Sequence, residues 1–335
     1  MRAAVYQRPQ DIRIEELEDP RPGRGEVLLR MLACGVCGSD LMDWYTKRRA
    51  PVVLGHEPVG EVLEVGREGD GLPEVGARVF AHHHVPCMNC AKCRAGHHTL
   101  CAEFQTTGIR PGGFSELIVV SAKNARLDLL PVPDHVSTEA ATLIEPLACC
   151  VRAQRRADVG PERSVVVVGA GQMGLLHVQA ALAAGSPVVV AVEPIAERRE
   201  LAERFGAESA EPEASAVVDA LGGRADVVIL CTGAEAAFAL GMEVVGSGGA
   251  VQLFAPSHPS VRFSFEPNEV FFREVTIQSS YSAGPMDTRE ALRLLSEGAV
   301  SGEGIITHRF PLAETARALE TAKSGKAIKV VVEGT

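Results

Sequence analysis

The sequence predicts an α/β protein in two parts, a small β-barrel-like domain and a doubly wound parallel sheet. Three observations carry this. The chain has 335 residues, 46% of them apolar, which is enough for about two domains of roughly 150 residues, each with its own core. From Met1 to about Thr142 the apolar residues recur at a period of two, broken by Gly and Pro, as in short strands joined by turns. From about Arg163 short apolar strands alternate with helices, the pattern of a parallel sheet covered on both faces.

In the first part, Val27–Met31 reads as a buried strand, and Gly55, Gly60, Gly66, Gly69, Gly71 and Gly76 punctuate a second β-rich stretch. In the second, Val165–Val168 is too apolar to have a wet face. The turn Gly169–Gly174 follows, then a helix over Met173–Ala184 stopped by Gly185. Val188–Val192 is the next buried strand, and the helix Ile195–Phe205 ends at Gly206, a C-terminal cap. Val227–Leu230 and Ala250–Phe254 are further strands, separated by a helix near Ala234–Val244, and Val275–Tyr281 is the last strand of the sheet. A helix over about Thr288–Leu295, a turn and helix over Phe310–Ser324 and a strand over Ala327–Glu333 complete the chain. This tail is short for an independent domain, so it is expected to return to the first. The expected division is residues 1–150, completed by 284–335, around a second domain of 151–283.

The formal net charge of −10 gives no attraction for phosphate backbones or anionic lipid, so nucleic-acid and membrane partners are not expected. No run approaches the roughly 20 apolar residues that span a bilayer, and Met1–Glu18 lacks the apolar stretch of a signal peptide. A cytoplasmic chain is the expectation. In a reducing compartment the cysteines, nine in all, are more readily explained by metal binding and packing than by disulfides.

Gly169-Ala170-Gly171-Gln172-Met173-Gly174 follows a buried strand and opens a helix, and the acidic Glu193 ends the next strand. That context is a dinucleotide fingerprint. Gly169 permits the tight turn, Gly171 lets backbone N–H groups approach a pyrophosphate, and Gly174 lets helix and strand pack closely. Glu193 can accept bonds from both ribose hydroxyls and would repel a 2′-phosphate, which favours NAD over NADP. Arg198 and Arg199 close behind are the residues that argue the other way. Gln172, Met173, Cys231, Thr232 and Phe254 complete the expected cofactor-binding set.

Cys87-x2-Cys90-x2-Cys93-x7-Cys101 suits a closed, tetrahedral structural zinc. An iron–sulfur cluster is the alternative, but ferredoxin spacing places the fourth cysteine three residues on and a proline after it. Here Ala102 follows Cys101. The flanking His82–His84 and His97–His98 are expected on the loop surface. A third constellation is scattered: Cys37-Gly38-Ser39-Asp40, Gly55-His56-Glu57 and Glu145-Pro146. A catalytic zinc takes about three protein ligands and keeps one position open. Taken singly, Cys37 and His56 read as core residues; together, beside a dinucleotide fold, they read as ligands.

With these motifs in this order the chain resembles the zinc-containing medium-chain alcohol and polyol dehydrogenases over essentially its full length. The resemblance implies a GroES-like catalytic domain closed by the C-terminal segment, with a Rossmann domain between, and an NAD-linked oxidoreductase acting on a small-molecule alcohol or ketone. It implies two zinc ions per chain, one structural at Cys87, Cys90, Cys93 and Cys101 and one catalytic at Cys37 and His56, with Glu57 and Glu145 as exchangeable carboxylate ligands. It implies that Ser39 takes the substrate proton and that Asp40 orients the ligand histidine. Many members carry a relay histidine two residues past that Asp; here Met42 stands there, so the proton leaves through cofactor hydroxyls, water, Glu57 or Glu145. The resemblance also implies a homodimer or tetramer paired through the last sheet strand.

Zinc lowers the pKa of water bound to it by up to about nine units, and a general base typically contributes 10²–10⁴-fold. The metal is therefore expected to be the larger factor and Ser39 the smaller. Glu57 and Glu145 beside one Cys–His pair look more like the polyol and threonine branches than the ethanol-type site. The expected substrate is a secondary alcohol on a polyol, sugar, cyclitol or amino alcohol, with L-threonine or a sugar phosphate as alternatives. Trp44 and Tyr45 are candidates either to line the cleft or to pack, Lys47-Arg48-Arg49 reads as a solvated loop, and Ser279, Ser280 and Tyr281 are candidates to approach the nicotinamide. Cys34, Cys149, Cys150 and Cys231 read as packing. A zinc-stabilised nicotinamide sensor without catalysis is the non-enzyme alternative.

Overall fold

The computed structural model describes residues 1–67 and 71–334; Gly69, one of the punctuating glycines, lies outside the described residues. The chain forms two compact units, one of Met1–Ala148, Ala283–Glu297 and Ser301–Thr335, the other of Cys149–Ser282 and Gly298–Val300.

The first unit is organised around one strand, Val27–Gly35, whose alternate residues Val27, Leu29, Met31 and Ala33 are buried. It hydrogen-bonds antiparallel to three others: Glu57–Val65, Leu117–Val120 and Lys329–Glu333. Strands Arg78–Ala81 and Leu129–Pro131 continue the sheet on one side, and Ile306–Pro311 pairs parallel to Lys329–Glu333 on the other. A smaller sheet of Asp11–Glu16, Arg2–Arg8 and Val52–Val53 lies beside it. Phe114, Ile118, Leu29 and Val332 meet in a common core. The stretch after Thr288 thus does return to this unit. Its helix runs over Pro285–Ser296, and Ile306–Pro311 is a strand, of which only Phe310 and Pro311 fell within the turn and helix expected over Phe310–Ser324. Residues Ile306–Pro311 alternate half-buried and exposed, too polar a pattern to announce itself without its partner.

The second unit is a six-stranded, all-parallel sheet, in the order Glu208–Ala210, Val189–Val192, Val165–Val168, Ala225–Leu230, Val245–Leu253, Thr276–Ser279. Val165–Val168 is buried at all four positions, as expected for a strand covered on both faces. The order reverses beside this strand, between its neighbours Val189–Val192 and Ala225–Leu230, and ligands of open α/β sheets bind at the carboxyl ends of strands at such a switch. The helices Gln172–Ala183, Ala196–Arg204, Ala214–Leu221 and Glu235–Val244 connect the strands. Among the described residues no helix is long and apolar enough to cross a membrane.

Candidate metal centres and dinucleotide site

Strand Val27–Gly35 delivers Cys37 to the start of a short 3-10 turn, Gly38–Leu41, which carries Ser39, half-buried, and Asp40, buried. The Cys37 N–H donates to Asp40 Oδ2 at 3.1 Å, and Asp40 Oδ1 lies 3.5 Å from His56 Nδ1. One carboxylate therefore holds both the thiol segment and the imidazole. Burial works against a charge on His56, but Asp40 and Cys37 outweigh it and hold the imidazole well above its ordinary pKa. Burial likewise opposes the Asp40 charge, and His56 with two backbone N–H groups keeps it below the usual carboxylate range. Single donor atoms of Cys37, His56 and Glu57 lie within 4.8 Å of one another. Thiolate, imidazole and carboxylate at that spacing fit a catalytic zinc with an open position, and an Asp behind the His is its usual orienting partner.

Glu57 is where the sequence reading was incomplete. It pairs in register with Gly35, and on the opposite side of that strand Lys329 reaches in from Lys329–Glu333. The Lys329 ammonium forms an ion pair with Glu57 Oε2, with both side chains wholly buried, and donates to Val36 O at 3.0 Å. The two meet only because residue 35 has no side chain: a Cβ there would stand 1.9 Å from Glu57 Oε2 and 2.8 Å from Lys329 Nζ. Glu57 Oε1 is buried with no hydrogen-bond partner among the described residues, an atom that a metal ion would satisfy. Burial pushes the Glu57 pKa up, Lys329 pulls it down, and the nearby Glu145 carboxylate adds to the rise. The available signal for Lys329 was a lone cation heading the apolar run Val330–Val332.

The histidine run is a correction. His82 is completely buried and His98 nearly so, rather than on the loop surface. Strand Arg78–Ala81 carries His82 inward, where its Nδ1 lies 2.7 Å from the buried Asp128 Oδ2. The His83 ring lies 4.8 Å from that of His56 and 4.2 Å from that of His84. Burial, then the neighbouring imidazoles, push His83 well below its ordinary pKa and His84 down to about 4. Glu145 is buried on the helix Ile144–Arg156, and its carboxylate groups with His82 and His83, not with Cys37 and His56.

The four lobe cysteines all lie within one 4.8 Å group, and each is free of disulfide bonding. Cys90 and Cys93 sulfurs are 3.5 Å apart, Cys87 and Cys93 sulfurs 3.8 Å. A tetrahedron with Zn–S bonds of about 2.3 Å has an edge of about 3.8 Å. The Cys90 N–H donates to Cys87 Sγ and the Cys87 N–H to Cys101 Sγ, both at 3.3 Å. Backbone N–H groups of Asn89 and Cys90 bring the Cys87 thiol down to about 6, toward the thiolate that binds metal. Phe104 closes the base of the lobe.

In the second unit the glycine turn sits at the carboxyl end of Val165–Val168. Gly169 has φ +98°, and a Cβ on Gly174 would stand 1.8 Å from Gly169 O, so helix and turn touch backbone to backbone. The position of a Gly171 Cβ is open space at the N-terminus of the helix Gln172–Ala183, which Gln172 and Met173 begin. Glu193, buried, accepts the Ala170 N–H at 2.8 Å and the Ile195 N–H at 3.2 Å, so it braces the turn. Arg199 is tied to Glu193 O, Pro194 O and Glu211, while Arg198 is half-buried. Cys231 and Thr232 follow strand Ala225–Leu230, and the Phe254 ring packs edge-on against buried His177 at 4.4 Å. Cys34 is buried core, as expected, and Lys47, Arg48 and Arg49 are exposed.

Comparison with known proteins agrees with both units. Residues 23–134 match the alcohol dehydrogenase GroES-like domain and residues 173–297 the zinc-binding dehydrogenase family. The chain is 33% identical over 329 residues to L-galactonate-5-dehydrogenase of Escherichia coli, covering 96% of this chain and 94% of that protein. It is 33% identical over 333 residues to L-threonine 3-dehydrogenase of Pyrococcus furiosus, covering 94% and 93%. A zinc-binding dehydrogenase structure from Sinorhizobium meliloti, bound to NADP, superposes with a TM-score of 0.89 at 29% identity, covering 99% and 98%. The fold is a GroES-like domain plus a Rossmann domain, and the chain belongs to the zinc-containing medium-chain alcohol and polyol dehydrogenases, oxidoreductases that act on CH–OH groups.

Proposed function

We propose that this chain oxidises a secondary alcohol on a polyhydroxylated or amino-alcohol substrate, with NAD as acceptor and two zinc ions per chain. The observation that carries it is the convergence of Cys37, His56 and Glu57 with Asp40 bonded behind the pair. When bound, zinc supplies Lewis acidity toward the substrate hydroxyl and NAD accepts the hydride. The protein's own residues do the rest. Asp40 fixes the His56 ring, Lys329 fixes one Glu57 oxygen, and Ser39, on the same turn as Cys37, takes the hydroxyl proton. The grouping supports Glu57 over Glu145 as the carboxylate of this centre. Met42 leaves the Asp40 segment without a relay imidazole, so the proton taken by Ser39 would pass on through water, through cofactor hydroxyls when the cofactor is bound, or through Glu57 or Glu145.

The buried Glu193 at the turn supports NAD, because a 2′-phosphate beside it would meet a carboxylate. Gly169, Gly171, Gln172, Met173 and Gly174 would hold the pyrophosphate, and Arg198, Cys231, Thr232 and Phe254 would border the cofactor. The two relatives act, by their names, on L-galactonate, a sugar acid, and on L-threonine, a hydroxy amino acid, which supports a secondary alcohol on a polar, multiply substituted substrate. The catalytic domain is read as residues 1–150 with 284–335, and the Rossmann domain as 151–283. A homo-oligomer is supported by strand Thr276–Ser279 at the sheet edge, with Phe265, Phe271, Phe272 and Tyr281 exposed around it; light scattering after size exclusion reads its mass, and a strict monomer refutes it.

The deciding experiment is an NADH-release screen over polyols, sugar phosphates, cyclitols and threonine, with zinc content measured on the same sample. Cys37→Ser abolishes turnover and keeps the fold, whereas Cys90→Ser lowers the melting temperature. A Cys37→Ser enzyme with most of its activity overturns the assignment.

A further inference from the structure

A second set of metal donors stands next to the first. His82, His83 and Glu145 each place one donor atom within 4.8 Å of the other two, and His82 and Glu145 are buried. His82 is prepared in the way a metal ligand is. Its Nδ1 lies 2.7 Å from Asp128 Oδ2, its carbonyl accepts the Asn124 amide at 2.7 Å, and Asp128 Oδ1 in turn accepts the Thr288 hydroxyl at 2.7 Å. With Asp128 as a carboxylate, which only accepts hydrogen bonds, the proton sits on Nδ1 and Nε2 is left with a free lone pair. That Nε2 is buried and has no partner among the described residues. A plain core histidine accounts for the bond to Asp128 but leaves this lone pair without a purpose. A cation accounts for both, since ligand histidines characteristically donate their other N–H to a carboxylate. Two imidazoles and one carboxylate are also a donor set that suits zinc with an open position. His83 connects the two sets, its ring 4.8 Å from that of His56.

We propose that His82, His83 and Glu145 bind a second transition-metal dication beside the Cys37–His56 centre, so that the first unit can hold a pair of ions there. This seat stands on its own geometry; only the occupancy of its neighbour rests on the function proposed above. It has no thiolate, and it assigns Glu145 to itself.

The test is metal uptake by the full-length protein, using zinc with elemental analysis and cobalt(II) with absorption spectroscopy. Wild type takes up one more zinc per chain than His82→Gln or His83→Ala. The additional cobalt produces visible bands without the near-ultraviolet thiolate band. Cys37→Ser loses a different ion, and the Cys37→Ser, His82→Gln double variant loses both. Asp128→Asn keeps all three donors but binds the extra ion about 10–100-fold more weakly. If His82→Gln fails to fold, His83→Ala, altered at a half-buried position, supplies the reading. Equal zinc content in wild type and His83→Ala overturns the proposal. Unchanged turnover in Cys37→Ser overturns the catalytic reading instead, so the two failures are distinct.

Discussion

Among the described residues Lys329 is the one side-chain cation that forms an ion pair with Glu57, and replacing it by Met in the metal-free protein tests how the buried pair is held. The two side chains are fully buried, and the ammonium also serves Val36 O. Breaking a buried pair by deleting one partner costs about 3–5 kcal/mol. Glu57 has one escape, which is to take up a proton. From an ordinary Glu pKa of about 4.3, that costs about 4 kcal/mol at pH 7.5 and about 1.6 kcal/mol at pH 5.5, at 1.36 kcal/mol per unit. The penalty is therefore capped and shrinks with acidity. At about 2–4 °C per kcal/mol for a unit of this size, Lys329→Met lowers the melting temperature by roughly 8–16 °C at pH 7.5 and roughly 3–6 °C at pH 5.5. Adding Glu57→Gln recovers most of the loss at pH 7.5. Differential scanning calorimetry at both pH values reads this directly. A deficit under about 1 kcal/mol, or one that does not change with pH, would refute the account of Glu57 as a charge held by Lys329.

Two further outcomes follow from the second unit. Burial brings His177 down to about 3 from 6.5, so its contribution to stability is complete above the higher value and is lost as pH falls toward the lower. Between pH 7 and pH 5 that amounts to about 2 kcal/mol, and His177→Leu should show correspondingly less acid destabilisation in urea titrations; an unchanged slope would count against it. Gly174→Ala forces a Cβ against Gly169 O at 1.8 Å, so the helix must back away from the turn. NADH binding, followed by fluorescence, should weaken about tenfold or more, about 1.4 kcal/mol, with zinc content unchanged; normal affinity would show that the close approach is not needed.

What the sequence made legible and what it hid have physical causes. The turn at Gly169–Gly174, the strand Val165–Val168 and the four-cysteine lobe are local: period, spacing and residue type within a short window specify them. Cys37 and His56 lie on separate segments, and the spacing between such segments carries no geometry; the family resemblance was needed to join them. Lys329 and Asp128 had no such support. Lys329 meets Glu57 across a sheet whose register is decided by tertiary pairing. Asp128 meets His82 at the end of a helix, Ala122–Asp128, far along the chain. His82 was misplaced on the surface because a histidine run beside cysteines gives no hint of which imidazole faces inward. The strand Ile306–Pro311 was missed because its alternation becomes interpretable only against Lys329–Glu333.

The partner of Glu57 comes from 272 residues further along the chain. During synthesis the ribosome therefore finishes the whole dinucleotide-binding unit before the counter-charge for this carboxylate has been made. Until then the nascent first unit carries a carboxylate whose buried counter-charge is missing, and either a proton or a cation captured at Cys37 and His56 would stand in for Lys329. Metal supply at the moment of translation thus bears on how safely the polypeptide waits for its own last strand.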